Sequence, residues 1–412
     1  MEVMYERCAG LDVHKKVITA CLIVPGPDGK PKKETRTFGT MTRDILMLSD
    51  WLSRAGCTHV AMESTGVYWK PVYNILESNF EVVLANAAHI KNVPGRKTDI
   101  SDAEWIADLL RHGLIRGSFI PPEPIRELRD LTRYRTSLTR QKASEVNRLQ
   151  KILEDANIKL ASVATDVTGV SARSILHELL RGEMDAESMA QLARGRMRKK
   201  IPELQRALEG FLKPHHRLII SQILAHIDYL DEAIAELDRE IEERMRPFEA
   251  DAGRLDGVPG LDVKAIQGII AEIGVDMTVF PSDRHIASWA GVCPGNNESA
   301  GKRKSGKTTK GNPWLKSLLV QAAHAAGRSK GNYLSSLYHR LAARKGKKRA
   351  AVAVAHATLT IVYHILRDKT VYRDLGADYF DRLDREAVAR RLTKRLEALG
   401  YKVDLQDLEC AA

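Results

Sequence analysis

The chain has 412 residues, long enough for two or three domains with a substantial core, and its 44% hydrophobic and 28% charged residues fit a soluble globular protein. Its net charge of +11 and pI near 9.3 favour a polyanionic partner. Its five cysteines (Cys8, Cys21, Cys57, Cys293 and Cys410) are scattered with no Cys-x-x-Cys pair, which suggests neither a zinc site nor a disulfide framework and reads as reduced thiols in a cytoplasmic protein.

Cys8 to Val13 and Val17 to Val24 read as strands, and the turn Pro25-Gly26-Pro27-Asp28-Gly29 leads to a third near Glu34 to Phe38. No basic segment followed by an apolar run opens the chain, so no signal peptide is expected. Ile45, Leu46, Leu48 and Leu52 give Thr42 to Ala55 helical spacing. A short strand, His59 to Met62, a helix through Tyr73 and Leu76, and a strand Phe80 to Ala85 come next. A helix should run from about Ser101 to His112, with Ser101-Asp102-Ala103-Glu104 usable as a capping box. A three-strand meander followed by alternating helix and strand is the order of a ribonuclease-H-like domain, and Pro121-Pro122-Glu123-Pro124 marks its end.

Beyond that boundary the pattern is helical. Ile125 to Leu160 reads as a long charged helix with an imperfect heptad, in which Leu131 and Leu138 fit but Glu145 takes the next seam position. Ile220, Ile223, Ile227, Leu230, Ile234, Leu237 and Ile241 form a cleaner seam. That seam fits an intramolecular hairpin or a dimerisation coiled coil equally well, and residues 161–215 carry little pattern. Gly257-Val258-Pro259-Gly260-Leu261-Asp262 before the apolar helix Val263 to Ile273 resembles a helix-hairpin-helix, although Asp262 stands where a second glycine is usual. Helices are expected around Trp314 to Ala326 and Ala350 to Leu366, with the basic tract Arg344 to Arg349 between them. The last of these, carrying His356 and His364, reads as a buried helix and not as a membrane span.

Two sets of residues carry chemistry. Asp12 would project from the first strand, Glu63 from the end of the strand after the first helix, and Asp99 and Asp102 from the start of the last helix or the loop before it. Four carboxylates from separate elements can hold two Mg²⁺ ions about 4 Å apart beside a phosphodiester. Singly, such residues are common at strand ends and helix N-termini; their conjunction in this order is the signal. His14 reads as a local hydrogen-bonding residue. The second set is the loop Asn296 to Gly311, where Ser299 or Ser305 could attack a phosphodiester among Lys302, Arg303, Lys304, Lys307 and Lys310. Residues 301–370 hold 16 Lys or Arg against the single acid Asp368, so +15 sits in this window and the remainder sums to −4. Those loop cations, with Arg344, Lys345, Lys347, Lys348 and Arg349, form an expected nucleic-acid surface.

Taken together, Gly10-Leu11-Asp12, Glu63-Ser64-Thr65-Gly66, Lys97 to Ala103, Val258-Pro259-Gly260, and Ala290-Gly291 through Glu298-Ser299 resemble the DEDD insertion-sequence transposases of the IS110 family, which also includes pilin-gene inversion recombinases. The resemblance implies a RuvC-like DEDD catalytic domain (1–122), a helical coiled-coil linker (123–250), a mainly helical transposase domain with the serine loop (251–375) and a C-terminal tail (376–412). It implies a Mg²⁺-binding tetrad of Asp12, Glu63, Asp99 and Asp102, with Ser299 as the nucleophile. It further implies element-end and target DNA as substrates, a structured bridge RNA as guide, and dimers or tetramers. Two other readings stay open: a RuvC-like Holliday-junction endonuclease working by hydrolysis, and a non-catalytic nucleic-acid-binding assembly protein.

Overall fold

A computed structural model describes residues 2–27, 29–64, 66–87, 90, 101–295, 297–299 and 302–405, with the backbone alone for 297–299 and 302–304. The chain divides into two compact units, Met1–Ile120 and Pro121–Ala412.

The first unit is a five-stranded mixed sheet with helices on both faces, a RuvC-like arrangement. Its strands are β1 (Cys8–Val13), β2 (Val17–Pro25), β3 (Pro31–Gly39), β4 (His59–Glu63) and β5 (Glu81–Ala85), in the order β3-β2-β1-β4-β5. The meander β1–β3 is antiparallel; β4 and β5 run parallel to β1. β1 is central and buried on both faces, as its small and apolar residues require. The edge strand β3 starts at Pro31 and exposes Lys32, Lys33 and Arg36, which blunts it against pairing with other chains. Side-chain alternation divides the core. Ala9, Leu11, Val13, Val60 and Met62 pack against the helices Thr42–Arg54 and Trp69–Leu76. Cys8, Cys21, Ile23 and Ala61 face the opposite layer, made by the helix Asp102–Arg111.

The second unit is helical apart from one small hairpin. The helices Glu123–Asp155 and Pro214–Met245 lie antiparallel, tied in sequence by Glu127–Arg244, Arg135–Asp238, Lys142–Asp231, Glu145–His226 and Asp155–His216. The seam Ile220, Ile223, Ile227 and Leu230 is therefore covered within the chain, as the hairpin reading has it. In the first helix the expected Leu131 yields its place: Ile125, Leu128, Thr132, Arg135, Leu138, Glu145, Leu149 and Leu153 are the buried positions. The stretch between the two helices is itself folded, as short helices around a core that includes Leu160, Ile175, Leu176 and Leu204. Its short, frequently interrupted helices explain why periodicity does not reveal it.

Three expectations for the C-terminal half change. Within the segment expected as a loop there are two strands: β6 (Asn297–Ser299) pairs antiparallel with β7 (Lys302–Ser305). A further helix, Tyr333–Lys345, lies between Pro313–Arg328 and Lys347–Asp368. The basic tract is thus not a connecting loop: Arg344 and Lys345 end one helix, Gly346 turns at φ +82°, and Lys347 to Arg349 begin the next. Lys347–Asp368 is the one helix among the described residues long and apolar enough to cross a membrane, yet 56% of its apolar window is buried inside the protein.

Candidate active site

β1 and β4 run side by side in parallel register, Gly10 beside Ala61 and Leu11 beside Met62. One residue further, Asp12 and Glu63 follow at the same ends of the two strands. Because side chains alternate, both belong to the face opposite Leu11 and Met62, which is the face carrying the Asp102–Arg111 helix. That helix lies directly on β1. A Cβ at Gly10 would overlap the Ala103 carbonyl oxygen and the Ala107 amide and sit 2.9 Å from Ala107 Cα. Cys8 Sγ lies 3.8 Å from the Ala107 carbonyl oxygen. Moving along β1 from Cys8 to Gly10 thus moves back along the helix from Ala107 towards Ala103. The helix N-terminus, with Asp102 its first residue, points to the Asp12 end of the strand. Ser101 is the N-cap, its Oγ accepting from the Glu104 amide at 3.3 Å. The helix therefore starts at Asp102, and Asp99 lies outside the described residues. His14 Nε2 stands 3.1 Å from Asp12 Oδ2, the local hydrogen bond expected of it.

Ser299 pairs with Lys302, and Glu298 with Arg303, so Ser299 is the last residue of β6. The ladder continues outward through Gly295 N–H to the Lys307 carbonyl (2.8 Å) and the bridge Pro294–Thr308. Its base is pinched where Gly291, at φ +72°, meets Gly311; a Cβ on Gly311 would overlap the Gly291 nitrogen. Lys316 Nζ braces it by donating to Thr308 Oγ1 at 2.6 Å. Ser305 sits at the far end of β7, its Oγ accepting from the Lys307 amide at 3.2 Å.

Beneath the hairpin base lies a buried ionic knot that the motifs did not announce. Glu272 is 1% exposed. It accepts from Arg133 Nε (2.6 Å) and Nη2 (2.8 Å) and from Asn312 Nδ2 (2.6 Å), with Arg129 Nε 3.5 Å away. Arg129 also donates to the Ala271 and Glu272 carbonyls, and burial lowers its pKa to about 10. Asn312 Oδ1 in turn caps the Pro313–Arg328 helix by accepting from Trp314 and Leu315. The sequence signal was a single acid in the otherwise apolar last turn of Val263–Ile273.

The Gly257–Asp262 turn also differs from a phosphate-presenting hairpin. Asp262 Oδ1 accepts from the Ala265 amide at 2.7 Å, so a carboxylate already occupies the helix N-terminus. Gly260, at φ +89°, packs where a Cβ would overlap the Ala322 carbonyl. A separate cluster, Asp155, His215 and His216, joins the ends of the long helix pair and offers ligand atoms all within 4.8 Å of one another. Two imidazoles and a carboxylate could hold a metal ion, and they suit a transition metal better than Mg²⁺.

Known proteins bear on both halves. Residues 9–158 match the family DEDD_Tnp_IS110, described as a transposase, and residues 252–339 match the Transposase IS116/IS110/IS902 family. The transposase for insertion sequence element IS1111A of Coxiella burnetii is 22% identical over 78% of this chain and 80% of its own length. The IS116 protein of Streptomyces clavuligerus is 26% identical over 71% of this chain and 79% of its own, and the IS110 protein of Streptomyces coelicolor 25% over 68% and 73%.

Proposed function

The chain belongs to the IS110/IS1111 family of DEDD transposases, DNA recombinases of insertion sequences, and from that premise we propose that it excises and inserts its element through the acidic sheet end and Ser299. The observation that carries the reading is the placement of Asp12 and Glu63 at neighbouring strand ends, under a helix that Gly10 allows to lie directly on the strand. We assign Asp12, Glu63 and Asp102, together with Asp99, as the metal tetrad.

This donor set fits Mg²⁺, which takes hard carboxylate oxygens, and the ion would polarise the scissile phosphate as a Lewis acid. The chain's own groups do the rest. Ser299 Oγ forms a bond to phosphorus as a deoxyribose oxygen leaves. The serine gives up its proton, and the leaving oxygen gains one. The bond energy is held as a phosphoserine ester until a DNA hydroxyl reverses the step. Lys302, Arg303, Lys304, Lys307, Lys310 and the tract Arg344 to Arg349 would neutralise nucleic-acid backbones.

The further parts of the reading follow the family: a RuvC-like domain to residue 122, a coiled-coil linker to 250, a transposase domain to 375, a bridge RNA as guide, dimers or tetramers, and a cytoplasmic site of action. Incubation with element-end DNA, RNA and Mg²⁺ should yield protein covalently joined to a DNA end, and Ser299→Ala should abolish that adduct. Cleavage that persists in the variant without any adduct would instead favour a hydrolytic, Holliday-junction type of nuclease.

A further inference from the structure

Between the helices Glu123–Asp155, Val263–Ile273 and Pro313–Arg328 lies a cleft of about 420 Å³. We propose that it binds an unpaired stretch of nucleic acid, with a phosphodiester held by Arg140 and Arg328 and a base laid against Trp314. The proposal rests on the recombinase reading above and names a contact for its substrate strand or guide.

Charge is the first ground. The cleft is lined by five cations and two carboxylates, a net +3. Most of these are already engaged. Arg133 holds Glu272, Arg135 bonds Asp238 and Gln267, and Lys264 bonds Asp238. Asp262 caps its own helix. Arg140 and Arg328 remain, both exposed and neither in an ion pair among the described residues. Unpaired guanidiniums facing a cleft attract phosphate, which their planar fork grips with two hydrogen bonds.

Shape and surface are the second ground. Trp314 lies half-buried in the first turn of its helix, with the Arg133 and Arg140 guanidinium carbons 5.6 and 5.1 Å from its ring centre. An aromatic ring set among cations is how single strands are held without sequence preference, since every base has a face to stack. The volume suits about one nucleotide and not a double helix.

The test uses the full chain, tryptophan fluorescence and single strands of oligothymidylate or oligouridylate about ten nucleotides long. Either strand should quench the emission, Trp314→Phe should remove that response, and the tighter of the two identifies DNA or RNA as the source. In Arg140→Gln/Arg328→Gln the slope of log affinity against log salt should flatten by about 1.4, about 0.7 for each cation lost. Trp314→Ala should weaken binding about 5- to 150-fold. An unchanged slope in the double variant overturns the proposal, as does equal quenching by a duplex or by inorganic phosphate alone. A wild-type chain that recombines DNA without any of these responses loses the cleft assignment and keeps the function. One that gives them all but never forms a DNA adduct fails in the opposite sense.

Discussion

Gly10 is the residue on which the proposed acidic site depends. It lets a helix backbone touch the central strand, so the Asp102 end of that helix reaches the level of Asp12. Gly10→Ala should lower unfolding stability by about 1–3 kcal/mol through overpacking, and reduce Mg²⁺-dependent DNA cleavage more than Gly29→Ala in the open β2–β3 turn. Denaturant titration beside a cleavage assay checks both. The sheet carries a pH signature on both faces, with Cys8 under the Asp102–Arg111 helix and Cys57 in the opposite core. Burial pushes the Cys8 and Cys57 thiols from 9.0 up to about 12. Between those values the unfolded chain loses thiol protons that the folded chain keeps. The stability they contribute is intact below about pH 9 and is lost as pH rises through about 12. Denaturation midpoints should fall across that range, and fall less steeply in Cys8→Ala/Cys57→Ala. Asp12 and Glu63 were legible in the sequence because a strand end followed by an acid is a local pattern. Glu272 and Asn312 were not, because their meaning comes from partners 139 and 40 residues away.

Among the elements, the base of the hairpin that carries Ser299 joins the helical body through a chain of bonds, beside the Lys316–Thr308 brace. Arg133 and Arg129 hold Glu272, Glu272 holds Asn312, and Asn312 both caps the next helix and donates its own backbone N–H to the Trp289 carbonyl, 3.2 Å away. Breaking a buried pair by removing one partner strands a charge, so Glu272→Ala should cost about 3–5 kcal/mol. Asn312→Ala removes only a cap and one charge-assisted bond, and should cost about 0.5–2 kcal/mol. If the knot acts as a unit, the double variant should cost less than the sum of the singles, and additive unfolding energies would show the two to be independent. Long elements were legible here and short ones were not. The Glu123–Asp155 and Pro214–Met245 helices announce themselves by length and apolar spacing. Lys302-Arg303-Lys304 has little strand propensity, and its hairpin exists through backbone pairing that composition does not encode. Tyr333–Lys345 was overlooked because its apolar positions are few and its end merges into the basic tract.

At the scale of the whole molecule the charge distribution works against the fold. Lys347, Lys348 and Arg349 occupy the first turn of a 22-residue helix, where the macrodipole is positive, and the helix has no side-chain cap. All three are exposed, and none has an ion-pair partner among the described residues. Cations in that position are unfavourable by about 0.3–1 kcal/mol each. A sequence shaped only by stability would place acids there, which is the physical argument for the proposed polyanion contact at this tract. Lys347→Gln/Lys348→Gln should therefore raise the thermal midpoint while weakening DNA or RNA binding. If both lysines meet phosphates, the slope of log affinity against log salt should flatten by about 1.8 on duplex DNA, about 0.9 for each contact. A variant that gains stability without any loss of salt dependence would mean that the +15 window binds nucleic acid elsewhere, through the hairpin cations Lys302 to Lys310 and not through the junction of these two helices.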